Sequence, residues 1–476
     1  MRVLDPEPIP DLDDYLRAGG GAGLEAARRL GAAGTIDEVE ASGLRGRGGA
    51  GFPTGVKWRT VAGLATLEEP RTVVVNGAEG EPGTFKDRAI LRTNPYRVLE
   101  GALVAALAVG GADRIVVALK ASFLPEIERV RRAIGEVERA GWTEGVVDFE
   151  VLEGPEHYLF GEETGLLEVL SGRPPFPRIA PPYRHGADEV GEGGASAADV
   201  EMAHVGHDAV APPTLVNNVE TLANVAGVLA HGASWFRTLG TDQSPGTVVC
   251  TVTGDTVRAG VGEFPMGTRL RDVIETVGGG TPDGHRVAAV LPGVANALVP
   301  ASHLDVPVTY EDFRAMGSGV GSAGFIVFDE TSDFVAVAHG VSRFLAVESC
   351  GQCTPCKQDG LAILEHLDRA RDSRAADVDE GAVLQRLGTI TEGARCSLAQ
   401  QHHDVVESVL RLFPDALQLH IDGDIGPAAP VLIAPLADIE DGVAIPEDRH
   451  AEKQADWTYD ERWSGQAPVD RLETRV

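Results

Sequence analysis

Between Arg71 and Glu153 the apolar positions alternate between two periods. TVVVN (72–76) and RIVVAL (114–119) are continuous β-branched runs, as buried strands are. Between them, Tyr96 to Val109 carries a helical pattern. Leu124, Ile127, Val130, Ile134 and Val137 then recur every three or four residues, and DFEVLE (148–153) reads as a third strand. Strands alternating with helices predict a mainly parallel sheet covered by helices, with ligands beyond the carboxyl ends of the strands. The loops after TVVVN, RIVVAL and DFEVLE are therefore where chemistry is expected.

Further along, GTVVCTVTG (246–254) and GFIVFDE (324–330) are short β-like runs around a helical patch at Leu270 to Val277, which predicts a small α+β unit. Residues 334–415 are helical in pattern, interrupted by a cysteine-rich turn. Arg184 to Pro213 loses periodicity and is rich in Gly, Ala, Asp and Glu, as an exposed insertion is. After Ala437 the chain carries eleven acidic and five basic residues without sustained periodicity, which predicts a wrapped or mobile extension. The expected division is 1–240 with its insertion at 184–213, then 246–330, 334–430 and an acidic extension over 431–476.

A chain of 476 residues has length for about three domains, at roughly 150 residues each. Its 41 basic and 72 acidic side chains leave a formal charge of −31, which repels nucleic acid and anionic membranes, so neither is expected as a direct partner. Five cysteines are too few for a secreted disulfide framework, and four of them gather in one stretch, which suits a metal site in a reducing, cytoplasmic compartment. The opening MRVLDPEPIPDLDDYLR is acidic and lacks an apolar run, against a secretory or transit signal. The longest apolar run, Leu103 to Val109, is far short of the roughly 20 residues that span a bilayer, so membrane contact is expected only through partners.

Five motifs carry candidate chemistry. In SGLRGRGGAGFPTGVKW (42–58), Gly46, Gly48 and Gly51 match G-x-G-x-x-G, yet a helix-like stretch precedes them where a dinucleotide turn follows a strand. The glycines still allow close backbone approach to a flat or phosphorylated ligand, with Arg45, Arg47 and Lys57 as cations. NGAEGEPGTFKDR (76–88) places Asn76, Glu79 and Glu81 at the end of the first strand, where an amide and carboxylates meet ring edges and hydroxyls. In HYLFGEETGLLE (157–168), Tyr158 offers a stacking face, and Glu162 and Glu163 stand at a helix start, where they equally suit the helix dipole. PTLVNNVETLANV (213–225) sets Asn217, Asn218 and Thr221 at another helix start, as ligand contacts or as caps.

The fifth motif, ESCGQCTPC (348–356), sets Cys350, Cys353 and Cys356 two residues apart, with Cys396 distant. Three thiolates on one short loop suit three irons of a cubane, the remote cysteine closing the fourth corner, whereas zinc usually takes two separated pairs. His402 and His403 are substitute ligands or ordinary helix residues, and Cys250 reads as a buried strand thiol.

In this order, the five motifs resemble the family of flavin-binding, NADH-oxidising (F-type) subunits of NADH-quinone oxidoreductase, the respiratory complex I, from about Asp11 to about Leu410. The resemblance implies an α/β fold: a Rossmann-like domain for FMN and NADH, a small ubiquitin-like soluble-ligand-binding α+β domain, and a helical domain with one [4Fe-4S] cluster. Carried over by motif, Gly46, Arg47, Gly48, Lys57, Asn76, Glu79, Tyr158, Gly161, Glu162, Asn217, Asn218 and Thr221 would line FMN. Gly49, Phe52, Glu81 and Glu163 would face NADH, and Tyr183 in APPYRHG would stand for a family phenylalanine that stacks on adenine. Cys350, Cys353, Cys356 and Cys396 match the cluster ligands.

The chain departs from the family at Ala78, where an aspartate would bond the flavin, at Phe160 in place of a cysteine, in the 184–213 insertion and after Cys396. The implied activity is hydride transfer from NADH to FMN, then single electrons to the cluster, so that cofactors do the redox chemistry and no side chain is itself catalytic. A thioredoxin-like [2Fe-2S] subunit and a further iron-sulfur subunit of a quinone-reducing complex are the implied partners, on the inner face of the membrane. Two alternatives stand beside this: a diaphorase subunit of an NAD-linked hydrogenase or formate dehydrogenase, and a non-catalytic nucleotide-binding scaffold with structural zinc. Within the acidic chain, Ser42 to Arg97 has nine basic and five acidic residues, so the expected site for two anionic ligands coincides with a local net charge of +4.

Overall fold

The computed structural model describes residues 3–64, 71–110, 112–143, 147–178, 214–372 and 380–453. Tyr183, the 184–213 insertion and the end of the acidic extension lie outside the described residues.

Four strands, β1 (Thr72–Asn76), β2 (Arg114–Lys120), β3 (Asp148–Gly154) and β4 (Thr214–Asn218), form a parallel sheet in the order β3-β2-β1-β4. Successive side chains on a strand point to opposite faces, and here both faces are covered. Val73, Val75, Ile115 and Val117 enter the main core, formed with helices Ala22–Ser42, Pro95–Ala108 and Val219–His231. Val74, Val116, Ala118 and Val216 meet Phe160, Leu166 and Leu167 on the other side.

The helix start expected at Asn217 and Asn218 is present, and the strand β4 that leads into it is the part the sequence did not announce. TLVNN pairs with β1 along its whole length, Thr72 beside Thr214 through Asn76 beside Asn218, and the helix begins only at Val219. Asn218 does cap it, accepting from the Glu220 N–H at 3.0 Å. Five residues ending in two asparagines carry little strand signal of their own; pairing with a buried neighbour decides their conformation.

The second unit is a mixed five-stranded sheet in the order β6-β5-β9-β7-β8: β5 (Thr247–Gly254), β6 (Gly260–Pro265), β7 (Val287–Leu291), β8 (Val299–Pro300) and β9 (Gly324–Asp329). Its core joins Val252, Leu270, Val273, Phe313 and Phe325, and Cys250 is buried there in β5. The third unit packs helices Phe334–Glu348, Thr354–Arg371, Glu380–Thr389 and Leu398–Leu412 around Val341, Phe344, Ile363 and Val405, a core that also takes in Leu291 and Phe328 from the second sheet.

Of the two expectations for the extension, wrapped or mobile, residues 431–453 follow the first. Ile433 enters the helical core, β10 (Leu436–Glu440) and β11 (Val443–Pro446) form a hairpin, and a short 3-10 turn follows at Asp448–Glu452. The segment is held by polar groups. The Arg88 guanidinium donates to the Leu436 carbonyl at 3.0 Å, Arg92 grips Asp438 at 2.8 and 2.9 Å, and Ala259 N–H donates to the Gly442 carbonyl at 2.6 Å. Arg343 donates to the carbonyls of His450, Ala451 and Lys453, at 3.0, 2.7 and 2.7 Å. The buried Glu348 carboxylate takes His450 at 3.0 Å and Lys453 at 2.8 Å. Among the described residues, no helix is long and apolar enough to cross a membrane.

Candidate functional site

The first sheet's carboxyl end opens on a cavity of about 580 Å3 that continues past the second unit to Cys396 of the third. The glycine loop forms one wall. It leaves helix Ala22–Ser42 at Gly43 (φ +69°), turns through Gly49 (φ +127°) and Gly51 (φ +63°), and closes on itself where Gly46 N–H donates to the Phe52 carbonyl at 2.7 Å. A Cβ on Gly51 would lie 2.6 Å from the Tyr310 ring, so only glycine fits between ring and cavity. Gly46, Gly48, Gly49, Phe52 and Lys57 line the space.

The expected cations are mostly elsewhere. Arg45 lies over the Tyr310 ring, 4.3 Å from its centroid, and donates to the Gly51 carbonyl at 2.7 Å. Arg47 is buried away from the cavity: it donates to the carbonyls of Thr247 and Pro245 at 3.1 and 3.0 Å and to the Tyr310 hydroxyl at 3.2 Å. Its guanidinium therefore joins the loop to the second unit; only its backbone serves the site, donating to Thr221 Oγ1 at 2.9 Å. The other cations of the basic segment are likewise committed, Lys86 to Asp87 and Glu220 (2.7 and 3.0 Å), Arg88 and Arg92 to Glu126 (3.0 and 2.6 Å). The lining of the cavity holds Lys57 against the carboxylates of Glu79, Glu81, Asp87, Glu162 and Glu163. The local charge of +4 thus supports packing and does not make a positive pocket.

Lys57 pairs with both oxygens of Glu163, at 2.8 and 2.6 Å. Glu79 accepts from the N–H groups of Asp87 and Arg88 at 3.2 and 3.3 Å, at the start of helix Lys86–Thr93. Withdrawal from water, then Asp87, push its carboxyl up to about 7. Glu81 is also pushed up to about 7 by withdrawal from water, opposed by hydrogen bonds from Tyr158, Val294 and Ala295. Glu162 caps helix Glu163–Leu170, accepting from Gly165 N–H at 2.8 Å and Thr164 Oγ1 at 2.6 Å, while burial raises its pKa.

Three asparagines line the cavity, but their amides are not equally available. Asn76 donates to the Gly161 carbonyl at 2.9 Å and accepts from Ala78 N–H at 3.2 Å. Asn218 donates to Asp87 at 2.6 Å and accepts from Lys86 at 3.2 Å. These two hold the walls together. Asn217 accepts from the buried Trp58 indole at 2.7 Å, which directs its amide donor toward the cavity.

Sequence reasoning missed several lining residues: Thr54, Ala295, Asn296, Ser322, Leu398 and Gln401. All but Thr54 arrive from the second and third units, and no local motif could place them here. Thr54 opens helix Thr54–Leu64, and its buried hydroxyl has no hydrogen-bond partner within the protein. An orphaned hydroxyl at a helix start, beside a glycine loop and one free amide donor, suits a phosphorylated, flat, heteroaromatic ligand. Ala78 lines the cavity and packs with Phe160 in one apolar cluster beneath it, so position 78 itself presents no carboxylate.

Cys350 follows helix Phe334–Glu348, Cys353 and Cys356 lie at the start of helix Thr354–Arg371, and Cys396 precedes helix Leu398–Leu412. All four are half-buried free thiols. Burial and then Cys396, Cys350 and Cys353 raise Cys356; Cys396 rises to about 12 through burial, with Cys350 and Cys353 adding to it. The thiols thus surround one region. Among the described residues no three His, Cys, Asp or Glu side chains converge as ligands of a single ion. One zinc would draw all its thiolates to about 2.3 Å; a cubane, with a separate iron for each thiolate, spreads them and suits this set better. Neither histidine competes: His402 is buried against Gly360, and His403 bonds Asp404 at 3.0 Å.

Comparison with known proteins matches three stretches of the chain. Residues 39–227 match the Nuo51 FMN-binding domain, 249–295 an SLBB domain, and 336–420 the NADH-ubiquinone oxidoreductase-F iron-sulfur binding region. The chain is 34% identical over 433 residues to the NADP-reducing hydrogenase subunit HndC of Solidesulfovibrio fructosivorans, covering 89% of this chain and 83% of that one. It is 37% identical over 350 residues to the F 2 subunit of NADH-quinone oxidoreductase in Rhizobium meliloti (strain 1021), covering 71% and 78%. Among solved structures, the NAD+-reducing [NiFe]-hydrogenase in the H2-reduced state matches with a TM-score of 0.71 and 32% identity, over 87% of this chain and 67% of that one.

Proposed function

This chain belongs to the family of F-type, NADH-oxidising subunits of NADH-quinone oxidoreductase, and from that premise we propose that its cavity oxidises NADH on FMN and its thiols carry the electrons onward through a [4Fe-4S] cluster. The supporting observation is a single cavity that reaches from the glycine loop to Cys396. FMN held in this cavity would supply the conversion between a two-electron hydride donor and a one-electron cluster.

The protein's part is to hold and orient. The glycine loop admits the flat ring, the Asn217 amide donates to its polar edge, and Thr54 and Lys57 serve the phosphate. Phe52, Gly49, Glu81 and Glu163 serve the nicotinamide nucleotide, and Tyr183 its adenine. We assign these roles across units 1–240, 246–330 and 334–430, with Cys350, Cys353, Cys356 and Cys396 as cluster ligands. Electrons leave to an iron-sulfur partner subunit, and the membrane is reached only through such partners, from the cytoplasmic side.

Anaerobic addition of NADH should bleach the flavin absorption and give a reduced-cluster EPR signal, in protein carrying about four irons per chain. A preparation containing flavin and iron that shows neither change would overturn the reading, and one zinc without iron would favour a structural scaffold. The likeness to HndC and to an NAD+-reducing hydrogenase supports a second reading for the partner, a hydrogenase in place of a quinone-reducing complex. Co-purification from the native host, with nickel in the complex or without it, separates the two.

A further inference from the structure

One side chain at the cavity has two acceptors and a single proton to give. The Tyr158 hydroxyl lies 2.6 Å from Glu81 Oε2 and 3.3 Å from Gln401 Oε1. The phenol cannot move far between them: its ring stands edge-on to Phe344 with centroids 5.2 Å apart, and its backbone N–H is held by Glu348 at 2.9 Å. Gln401 is fixed in turn, its amide reaching Ser397 Oγ at 3.4 Å, one residue beyond Cys396. Glu81, Tyr158, Gln401, Ser397 and Cys396 all line the same cavity.

We propose that Gln401 is a positioning residue for Glu81, acting through Tyr158 as a two-position hydrogen-bond switch. With Glu81 ionised, the phenol donates to the carboxylate. With Glu81 protonated, its O–H donates to the phenol oxygen and the phenol proton turns to the Gln401 carbonyl. Neither state strands a buried donor.

The switch has a use in the reaction proposed above, and it rests on that reading only for the source of the proton. Oxidation of NADH yields NAD+, two electrons and one proton; the electrons leave through the cluster, and the proton forms an O–H bond on the Glu81 carboxylate. From the elements packed on it, Glu81 meets Tyr158 of the turn at Tyr158–Gly161 and the N–H groups of Val294 and Ala295 after β7. The other charged groups of the cavity are Lys57, Glu79, Asp87, Glu162 and Glu163. The carboxyl's elevated pKa, about 7, suits a group that changes state in use.

Infrared titration of the full-length protein tests this, following the protonated-carboxyl band that Glu81→Gln removes. Tyr158→Phe takes a donor from the ionised state and should raise the midpoint by about one pH unit. Gln401→Leu takes the acceptor from the protonated state and should lower it, by roughly half a unit; Gln401→Met, which better preserves shape, should do the same. Opposite signs are the signature. Gln401 variants that leave the midpoint unchanged, or raise it as Tyr158→Phe does, overturn the switch. Loss of NADH-dependent bleaching with the midpoints still ordered this way would overturn the proposed reaction and leave the switch standing.

Discussion

Asn76, Asn217 and Asn218 are interchangeable as letters in a motif, and one indole N–H separates them. Trp58 occupies the Asn217 carbonyl at 2.7 Å and leaves its amide donor for a ligand, while both ends of the other two amides are engaged within the walls. Trp58→Phe should therefore weaken FMN retention about tenfold with the fold intact, read from flavin fluorescence on dilution; unchanged retention would remove Asn217 from the site. The sequence placed Arg47 correctly in the loop but not its guanidinium, because a motif fixes backbone position and not the direction of a long side chain. Glu79 carries a pH signature. Its pKa is raised from 4.5 to about 7 in the folded protein, so the folded state binds more protons than the unfolded one in that window and stability falls as pH rises through it. Glu79→Gln should flatten that part of the Tm-against-pH curve; an unchanged slope would mean that another group sets it.

Elements with a repeating apolar pattern were legible in advance: β1, β2 and β3, the helix from Leu124 and the helices of the cysteine-bearing unit all follow their periodicity. Those held by pairing or by isolated polar anchors were not. The strand β4 depends on β1 beside it, and the hairpin β10-β11 depends on Arg88, Arg92 and Ala259, the nearest of them 177 residues away in sequence. Helix Thr54–Leu64 is an element whose start matters more than its length. If its orphaned Thr54 hydroxyl meets the phosphate, Thr54→Val should cost about tenfold in FMN affinity and nothing for riboflavin, which lacks that group. Equal losses for the two flavins would place the hydroxyl elsewhere.

At the scale of the whole molecule, three cores meet at one cavity, and residues 431–453 fasten them. The hairpin joins Arg88 and Arg92 of the first unit to Ala259 of the second, and the following turn joins Glu348 and Arg343 of the third, next to the segment that leads into Cys350. Partner contacts at this scale left no mark that periodicity could detect. Breaking one buried ion pair costs about 3–5 kcal/mol, and in a large domain each kcal/mol is worth about 2–4 °C. A chain ending at Pro430 should therefore melt roughly 10 °C lower in a thermal scan than one ending at Lys453. Equal melting temperatures would show that the fastening is idle.

The same fastening sets an order in time. A ribosome makes residues 431–453 after all four cluster cysteines, so every thiol is synthesised before the segment that ties the units together. If residues 431–453 restrict access once folded, a chain without them exchanges its cluster more readily. A chain stopped at Pro430 should take up iron and sulfide from a reconstitution mixture faster than the complete apoprotein, and lose them faster on exposure to a chelator.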